Sequence, residues 1–236
     1  MQPGTDPEGI RINKYIASTG FCSRRDADKL ITDGVVCING SPAEQGSKVL
    51  PGAVVTVNGR EVSPKQDKIY IAFHKPLGIT CTTDRRDPDN IIDYINYPER
   101  IFPVGRLDKN SSGLILLTND GDIVNLLLRA ENGHEKEYTV TVDRNIDPSF
   151  KRSMENGLPI LGRITLPCKV NIRSARSFNI ILKQGLNRQI RRMCECLGYR
   201  VIKLRRIRFM NIELGDLKAG EYRLLKPAEV DKLLKG

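Results

Sequence analysis

The sequence lacks several features that would place it in other classes of protein. No apolar run approaches the roughly 18 residues that a membrane-spanning helix needs, and the first ten residues, MQPGTDPEGI, lack the basic-then-apolar order of a secretory signal. Tryptophan is absent, and there are only two histidines and six cysteines, with no C-x-x-C pair. These scarcities argue against a zinc site and against a disulfide framework, and they predict a cytoplasmic protein with reduced thiols.

Positive charge is plentiful, and it is concentrated in one segment. The 236 residues carry 38 basic and 28 acidic side chains, a net charge of +10. Residues 1–65 account for a net of only +1, whereas the basic segment 183–208 holds nine cations against Glu195 alone. Such concentration is typical of a surface that follows phosphates, so it favours a nucleic-acid partner over a merely solvated basic surface.

The first 60 or so residues read as a small module of two helices and a few strands. RINKYIASTG predicts a helix with Ile12 and Ile16 four residues apart, and SRRDADKLITDG predicts a second helix capped by Ser23. Two Asn-Gly pairs follow and predict tight turns between short strands. We expect this module to span 10–61, after a flexible tail over 1–9.

The stretch RINKYIASTGFCSRRDADKLITDGVVCING resembles the S4 RNA-binding domain. In that family two helices present basic side chains to structured RNA, although ordinary exposed helix charges remain the alternative interpretation. The resemblance implies RNA contacts for Arg11, Lys14, Arg24, Arg25 and Lys29.

A second domain is expected over 69–236, after a polar linker over 62–68. Its predicted strands are IYIAFHK, GLILLTND, KEYTVTVD, CKVNIRS, SFNIILKQG, RVIKLRRIRFMNIEL and EYRLLKP. Its predicted helices are DNIIDYI, GDIVNLLLRA, DPSFKRSMENG, NRQIRRMCECLG and PAEVDKLLKG. Runs of strands interspersed with helices predict an α+β fold with a mixed, mostly antiparallel sheet.

One carboxylate stands out in the stretch GRLDKNSSGLILLTNDG, because Asp108 is flanked by Arg106 and Lys109 at the start of an apolar strand. Nearby cations favour the ionised carboxylate, which can act as a nucleophile, a base or a metal ligand. The loop offers no further metal ligands, and a glycosidase would need a second acid. A turn aspartate bonded to its own backbone is the alternative.

Two further side chains have both a structural and a functional interpretation. Arg106 could pair with a surface acid, or it could contact phosphate or fill the gap left by an extruded base. Tyr138 could belong to the core, or its ring could stack on an extruded base at about 1–3 kcal/mol.

The helix NRQIRRMCECLG separates its side chains by face at 100° per residue. Arg188, Arg191 and Arg192 fall on one side, opposite an apolar side that must face the core. We expect the arginine side to face a cleft or solvent, and one arginine to pair with Asp108 if that residue lines the cleft.

Four stretches together resemble one branch of the pseudouridine synthases, the A type named for the small subunit of the ribosome. They are GRLDKNSSGLILLTNDGD, FHKPLG, KEYTVTV and GLNRQIRRMCECLGYRVIKLRRIR, and the S4-like module precedes them as it does in that branch. His74 departs from the asparagine common before the Lys-Pro pair. The stretch LLLRAENGHEKEYTVTVD is most similar to the ribosomal large-subunit synthase F group.

The resemblance implies a role for each matched residue. Asp108 would be the nucleophile, Arg106 would help to flip the uridine, and Tyr138 would stack on the base. Arg191 would pair with Asp108, and Leu204 would lie against the target ring. The basic segment 183–208, independently of the resemblance, predicts further RNA contacts from Arg188 and Arg192.

The implied reaction is isomerisation of a uridine within ribosomal RNA, most closely the 23S RNA of the large subunit, by a monomer without cofactor or metal. A non-catalytic RNA-binding or ribosome-assembly protein is one alternative. A glycosidase that releases free uracil is another.

Overall fold

A computed structural model of the chain describes residues 9–64, 67–128 and 133–235. The chain divides into two compact units, with the boundary between Lys68 and Ile69. The predicted tail lies outside the described residues except for residue 9, and two residues of the predicted linker, 65 and 66, also lie outside them.

The described part of the first unit contains two helices and six short strands. They are β1 (Ile10–Arg11), α1 (Ile12–Ser18), α2 (Arg24–Thr32), β2 (Val36–Ile38), β3 (Ser41–Pro42), β4 (Lys48–Val49), β5 (Val55–Val57) and β6 (Arg60–Val62). β1 pairs with β4, and the other strands form a sheet in the order β3-β2-β5-β6.

Local sequence signals explain how this unit folds. The Ser23 side chain accepts a hydrogen bond from the Asp26 backbone N–H at 3.1 Å, which confirms the predicted cap of α2. Asn39 and Asn58 adopt positive φ angles of 50° and 51° in the turns after β2 and β5, as their Asn-Gly pairs predict. Both helices bury apolar residues four positions apart in one shared cluster, including Ile12 and Ile16.

The second unit is larger. Its strands are β7 (Tyr70–Lys75), β8 (Phe102–Val104), β9 (Ser112–Thr118), β10 (Lys136–Val142), β11 (Pro159–Ile160), β12 (Arg163–Ile164), β13 (Lys169–Ser174), β14 (Ser177–Leu182), β15 (Val201–Phe209), β16 (Ile212–Glu213) and β17 (Tyr222–Leu224). Its helices are α3 (Ile91–Ile95), α4 (Gly121–Leu128), α5 (Phe150–Glu155), α6 (Gln189–Cys196) and α7 (Pro227–Lys235). The last two residues of the helix predicted over GDIVNLLLRA, 129 and 130, lie outside the described residues.

Nine of the described strands of this unit form one large mixed sheet in the order β13-β14-β10-β15-β9-β7-β17, with β16 on β15 and β8 on β9, while β11 and β12 pair separately as a small antiparallel hairpin. β15 and β9 run parallel, and the other pairs in this sheet are antiparallel. The prediction of an α+β fold with a mostly antiparallel sheet is therefore confirmed. β15, which comes late in the sequence, lies between β10 and β9 and joins the two halves of the sheet.

The side-chain pattern of each strand follows from what covers it. Ile115 and Leu117 of β9 pack in a cluster with α3, whereas Leu114 and Leu116 pack in another with α4 and α7. A strand covered on both faces reads as a continuous apolar run, as GLILL does. β10 instead alternates: Val140 and Val142 are buried against α5 and α6, while the intervening residues are only half-buried.

One predicted strand is in fact a hairpin. The stretch RVIKLRRIRFMNIEL forms β15 and β16, which pair antiparallel across a turn at Met210. Met210 has a φ of 52°, a left-handed conformation that no glycine or Asn-Gly pair announces in the sequence. Among the helices of the described residues, none combines the length and the apolar character that a membrane span requires.

Candidate active site

A cleft of about 400 Å³ opens in the second unit beside the loop that carries Asp108, here called the Asp108 loop. Its walls come from that loop, from β10 and β15, and from the segment leading into α6. It brings together five of the residues singled out in the sequence: Arg106, Asp108, Tyr138, Arg188 and Leu204.

The carboxylate of Asp108 is free of hydrogen bonds from the described residues. Its backbone carbonyl closes the turn by accepting from the Ser111 N–H at 2.9 Å. Its Oδ2 lies 3.7 Å from Nη1 of Arg188, and the two side chains are 35% and 42% exposed. The carboxylate therefore faces the cleft and makes no hydrogen bond to the backbone of its own turn. The turn-aspartate interpretation does not describe this residue.

Lys109 does not pair with Asp108, although the two residues are adjacent in the sequence. Its Nζ pairs with Asp89 Oδ2 at 2.7 Å, on an exposed part of the loop. Asp84, an acid earlier in the sequence, is also engaged locally, because it pairs with Arg86 at 2.6 Å. No second carboxylate lines the cleft among the described residues, so the arrangement fits chemistry that uses one acid.

Arg191 does not make the direct ion pair with Asp108 that the resemblance implied. It is 8% exposed and donates to the carbonyls of Asn110 and Val201 at 2.6 and 3.2 Å. Its Nη2 also lies 3.4 Å from the Ser111 hydroxyl. Arg191 thus lies behind the Asp108 loop and ties it to the start of β15.

The charge of Asp108 still acts on Arg191. Burial and the neighbouring Arg188 lower the pKa of Arg191, while Asp108 acts in the opposite direction. Two arginines therefore interact with the charge of Asp108, where the sequence led us to expect one. Arg188 contacts the carboxylate directly, and Arg191 is buried behind the loop.

The arginines of α6 do not share one environment, contrary to the prediction from helical spacing. Arg188 is the N-cap residue, and its positive φ of 50° takes it out of the helical pattern. Arg191 is buried, and Arg192 folds back to donate to the Asn187 carbonyl at 3.1 Å. Only Arg188 of the three lines the cleft within the described chain.

Tyr138 and Leu204 come from neighbouring strands. Tyr138 is half-buried and touches both the apolar cluster under α6 and the one under α3. Leu204 lies opposite Val140 on the paired strand, with 7% of its surface exposed. Arg106 is exposed at the edge of the same cleft. An aromatic ring, an apolar side chain and a carboxylate thus share one hollow.

Sequence reasoning missed two residues that lie beneath the Asp108 loop. Lys75, at the end of β7, is fully buried and donates to the carbonyls of Pro76 and Ile79, both at 2.8 Å. Cys81 accepts a hydrogen bond from the Leu107 N–H at 3.3 Å. Burial lowers the pKa of Lys75, and the nearby Cys81 and Asp108 act against that effect. The FHKPLG stretch was the available signal for this support.

Sequence reasoning also missed two cations in the cleft wall, Lys136 and Arg206. Arg206 is one of several basic residues of β15, whereas Lys136, the first residue of β10, carries no sequence signal that distinguishes it from an ordinary surface lysine. The cations of the basic segment 183–208 have different environments in the structure. Arg208, for example, is engaged by Glu135 and Glu137, both at 3.0 Å, whereas Arg205 is exposed and does not line the cleft.

The basic residues of the first unit lie largely on its surface. Arg11, Arg24, Arg25 and Lys29 are exposed, and Lys14 is half-buried. Within the described ranges, no group of three or more histidine, cysteine or acidic side chains is placed to hold a metal ion.

Family models match both units. One described as RNA pseudouridylate synthase matches residues 69–196, and an S4 domain model matches residues 10–55. The chain therefore belongs to the RNA pseudouridine synthases, a family of isomerases, and carries an S4 domain ahead of the synthase fold. The non-catalytic alternative is not supported.

Individual relatives make the likeness more specific. The chain is 52% identical over 228 residues to the dual-specificity RNA pseudouridine synthase RluF of Escherichia coli K12, covering 96% of this chain and 79% of the relative. It is 36% identical over 232 residues to the ribosomal large subunit pseudouridine synthase B of Bacillus subtilis, covering 94% and 95%. A crystal structure of a pseudouridylate synthase superposes with a TM-score of 0.70 at 28% identity, covering 95% and 99% of the two chains. The predicted resemblance to the F group is confirmed.

Proposed function

We propose that this protein isomerises a specific uridine of ribosomal RNA, in the 23S RNA of the large subunit, with Asp108 as the acting carboxylate. The observation that carries the proposal is the free carboxylate of Asp108 in a cleft shared with Tyr138 and Leu204. The name of the Bacillus subtilis relative, a large-subunit synthase, supports the choice of substrate. We expect a monomer, because one chain supplies each of these residues, and a cytoplasmic location, because the proposed substrate is ribosomal RNA.

The reaction rearranges one nucleotide and consumes nothing. The C1′–N1 bond breaks, a C1′–C5 bond forms, C5 loses a proton and N1 gains one. A single carboxylate can serve this sequence as a nucleophile or as the base of an elimination. The exposed ion pair with Arg188 leaves Asp108 accessible from the cleft.

The target base must leave its stack before it can enter the cleft, at a cost of a few kcal/mol. The ring of Tyr138 offsets part of this cost, since stacking of a base on an aromatic side chain is worth about 1–3 kcal/mol. Leu204, from the neighbouring strand, adds an apolar surface to the same hollow. Arg106, exposed at the cleft edge, is placed to contact the vacated position.

Basic side chains in both units bind the phosphates of the RNA. Arg188 is the N-cap residue of α6 and Arg192 lies in the first turn of that helix, and the S4 unit offers its exposed basic residues. Each phosphate contact adds to the salt dependence of binding.

The proposal is tested by incubating the protein with unmodified 23S, small-subunit ribosomal and transfer RNA separately and measuring pseudouridine. Asp108→Asn keeps the shape of the residue but removes its charge, so turnover should stop while RNA binding persists. Asp84→Asn, outside the cleft, is the matched control. A wild-type rate in Asp108→Asn would show that another group acts, and release of free uracil would indicate a glycosidase.

A further inference from the structure

Arg206 is a buried cation with unused donors in the wall of the active-site cleft. It is 4% exposed, and its Nε donates to the Leu114 carbonyl at 2.6 Å. Its two terminal nitrogens make no hydrogen bond within the described chain, and no carboxylate of that part lies within ion-pair distance. Burying a guanidinium is costly unless its charge and its N–H groups are used. The proposed chemistry gives this group no role.

Lys136 lies beside it. Its Nζ donates to the His134 carbonyl at 3.1 Å and lies 5.6 Å from the centre of the Phe209 ring. The guanidinium of Arg206 lies 5.7 Å from the same ring. Burial, and then the charge of Arg206, lower the pKa of Lys136. Two cations that lie near the same apolar ring and interact electrostatically make a local positive field in the cleft wall.

The two cations are placed beside the surface on which the base stacks. Tyr138 and Arg206 are direct cross-strand partners on β10 and β15. Such partners hold their Cβ atoms about 4.5–5.5 Å apart. Lys136 is two residues from Tyr138, so both side chains leave the same face of β10. All three line the cleft, and a ring stacked on Tyr138 would turn an edge towards the two cations.

We infer that Arg206 and Lys136 donate hydrogen bonds to the carbonyl oxygens of the extruded uracil and stabilise the negative charge that the ring gains during isomerisation. This inference rests on the proposed function and deepens it, because it assigns two further catalytic residues to the same cleft.

The electron count explains why such donors are needed. If the C1′–N1 bond breaks first, its electron pair goes to the uracil, whose charge is spread over O2 and O4. If Asp108 adds to the ring first, the ring electrons are displaced towards O4. Either route places negative charge on a carbonyl oxygen. Preorganised donors aimed at developing charge in a site that excludes water are worth roughly 10²–10³ in rate.

The alternative use of these cations is to bind a backbone phosphate of the RNA. The depth of the two groups favours the base, because the phosphates of a flipped nucleotide remain with the strand outside the cleft. The two uses differ in what they change. Phosphate binding affects the affinity for RNA, whereas charge stabilisation affects the chemical step at saturating RNA.

The test compares single-turnover bond cleavage on two RNAs, one with uridine and one with 5-fluorouridine at the target position. Fluorine withdraws electrons and makes the ring a weaker base, so the ring needs less help in carrying negative charge. Loss of the C1′–N1 bond is followed in both, because fluorine at C5 prevents the final deprotonation. Arg206→Gln should slow the uridine substrate by about 10²-fold and the fluorinated one by clearly less.

A second test variant and one control keep the result decisive. Lys136→Met should show the same selective loss, and it carries the comparison if Arg206→Gln does not fold. Arg205→Gln removes the same charge from the adjacent position outside the cleft and should leave the ratio of the two rates at the wild-type value. Equal losses on both substrates, or weaker RNA binding with an unchanged rate at saturation, would overturn the inference. Absence of turnover by the wild-type protein would instead refute the proposed function.

Discussion

Arg188 lies 3.7 Å from Asp108, although the helical spacing of α6 gives no reason to prefer it over Arg191. The contact depends on the left-handed backbone of Arg188, which directs its side chain towards the Asp108 loop before the helix begins. The pair is partly exposed, so it contributes no more than about 1 kcal/mol to stability. We therefore expect Arg188 to act in RNA binding, by exchanging Asp108 for a phosphate of the RNA.

Replacing Arg188 should weaken RNA binding more than it weakens the fold. Arg188→Gln removes one cation at the cleft, so the slope of log affinity against log salt should fall by about 1. Filter binding at several salt concentrations measures this, and thermal unfolding should show little change. Arg152→Gln, an exposed cation on α5 outside the cleft, is the control. An unchanged slope in Arg188→Gln would exclude a phosphate contact.

Replacing Arg191 should weaken the fold more than it weakens RNA binding. Arg191→Lys keeps the charge but cannot bridge the Asn110 and Val201 carbonyls with one planar group. Leaving buried acceptors unpaired costs about 1–3 kcal/mol, so the free energy of unfolding should fall by that amount. Turnover should fall as well, because the loop holding Asp108 loses its tie to β15. Wild-type stability in this variant would show that the tie is dispensable.

The ring and the hydroxyl of Tyr138 can be tested separately. Tyr138→Phe keeps the stacking surface and should retain RNA affinity. Tyr138→Ala removes the stack and should cost about 1–3 kcal/mol, or roughly 10–100-fold, in the affinity for RNA with an extruded target. A large loss of affinity in the phenylalanine variant would contradict a role through stacking alone.

Gly113 should tolerate no side chain. It has a φ of 108°, and a Cβ there would lie 2.2 Å from the Arg206 carbonyl oxygen and 2.5 Å from its nitrogen. Gly113→Ala must push β9 and β15 apart, and we expect a loss of roughly 3 kcal/mol or more, in the range of severe backbone and packing changes. Denaturant unfolding measures it.

Gly162→Ala is the matched control for that change. Gly162 has a φ of 72° with open space around it, so it keeps the conformational strain without the clash. Its cost should stay near 1 kcal/mol. Equal losses in the two variants would mean that strain, and not the approach of β15, decides the effect.

Much of the fold could be predicted because the local signals agree with the tertiary structure. Ser23 caps α2, and the two Asn-Gly turns of the first unit form where expected. The alternation of β10 and the continuous apolar run of β9 report how many of their faces are covered. The hairpin at Met210 was not predicted because its turn contains no glycine. The turn is determined instead by the pairing of β16 with β15.

The residues that line the site could be predicted from the sequence, but the contacts between them could not. Asp108, Tyr138 and Leu204 do meet in one cleft. The resemblance assigned Arg191 as the partner of Asp108, and helical spacing could not choose among the arginines, because it does not describe an N-cap residue such as Arg188 in a left-handed conformation. Arg206 was missed because burial, and not residue type, distinguishes it from the basic residues beside it on β15.

The central place of β15 has a consequence for how the protein matures during synthesis. A nascent chain that has reached residue 200 already contains the loop with Asp108 and the strand with Tyr138, yet the strand that lies between β9 and β10 has not been made. Pairings this distant in sequence are entropically slow to close. The enzyme should therefore stay inactive on the ribosome that translates it until the end of β15 has left the exit tunnel.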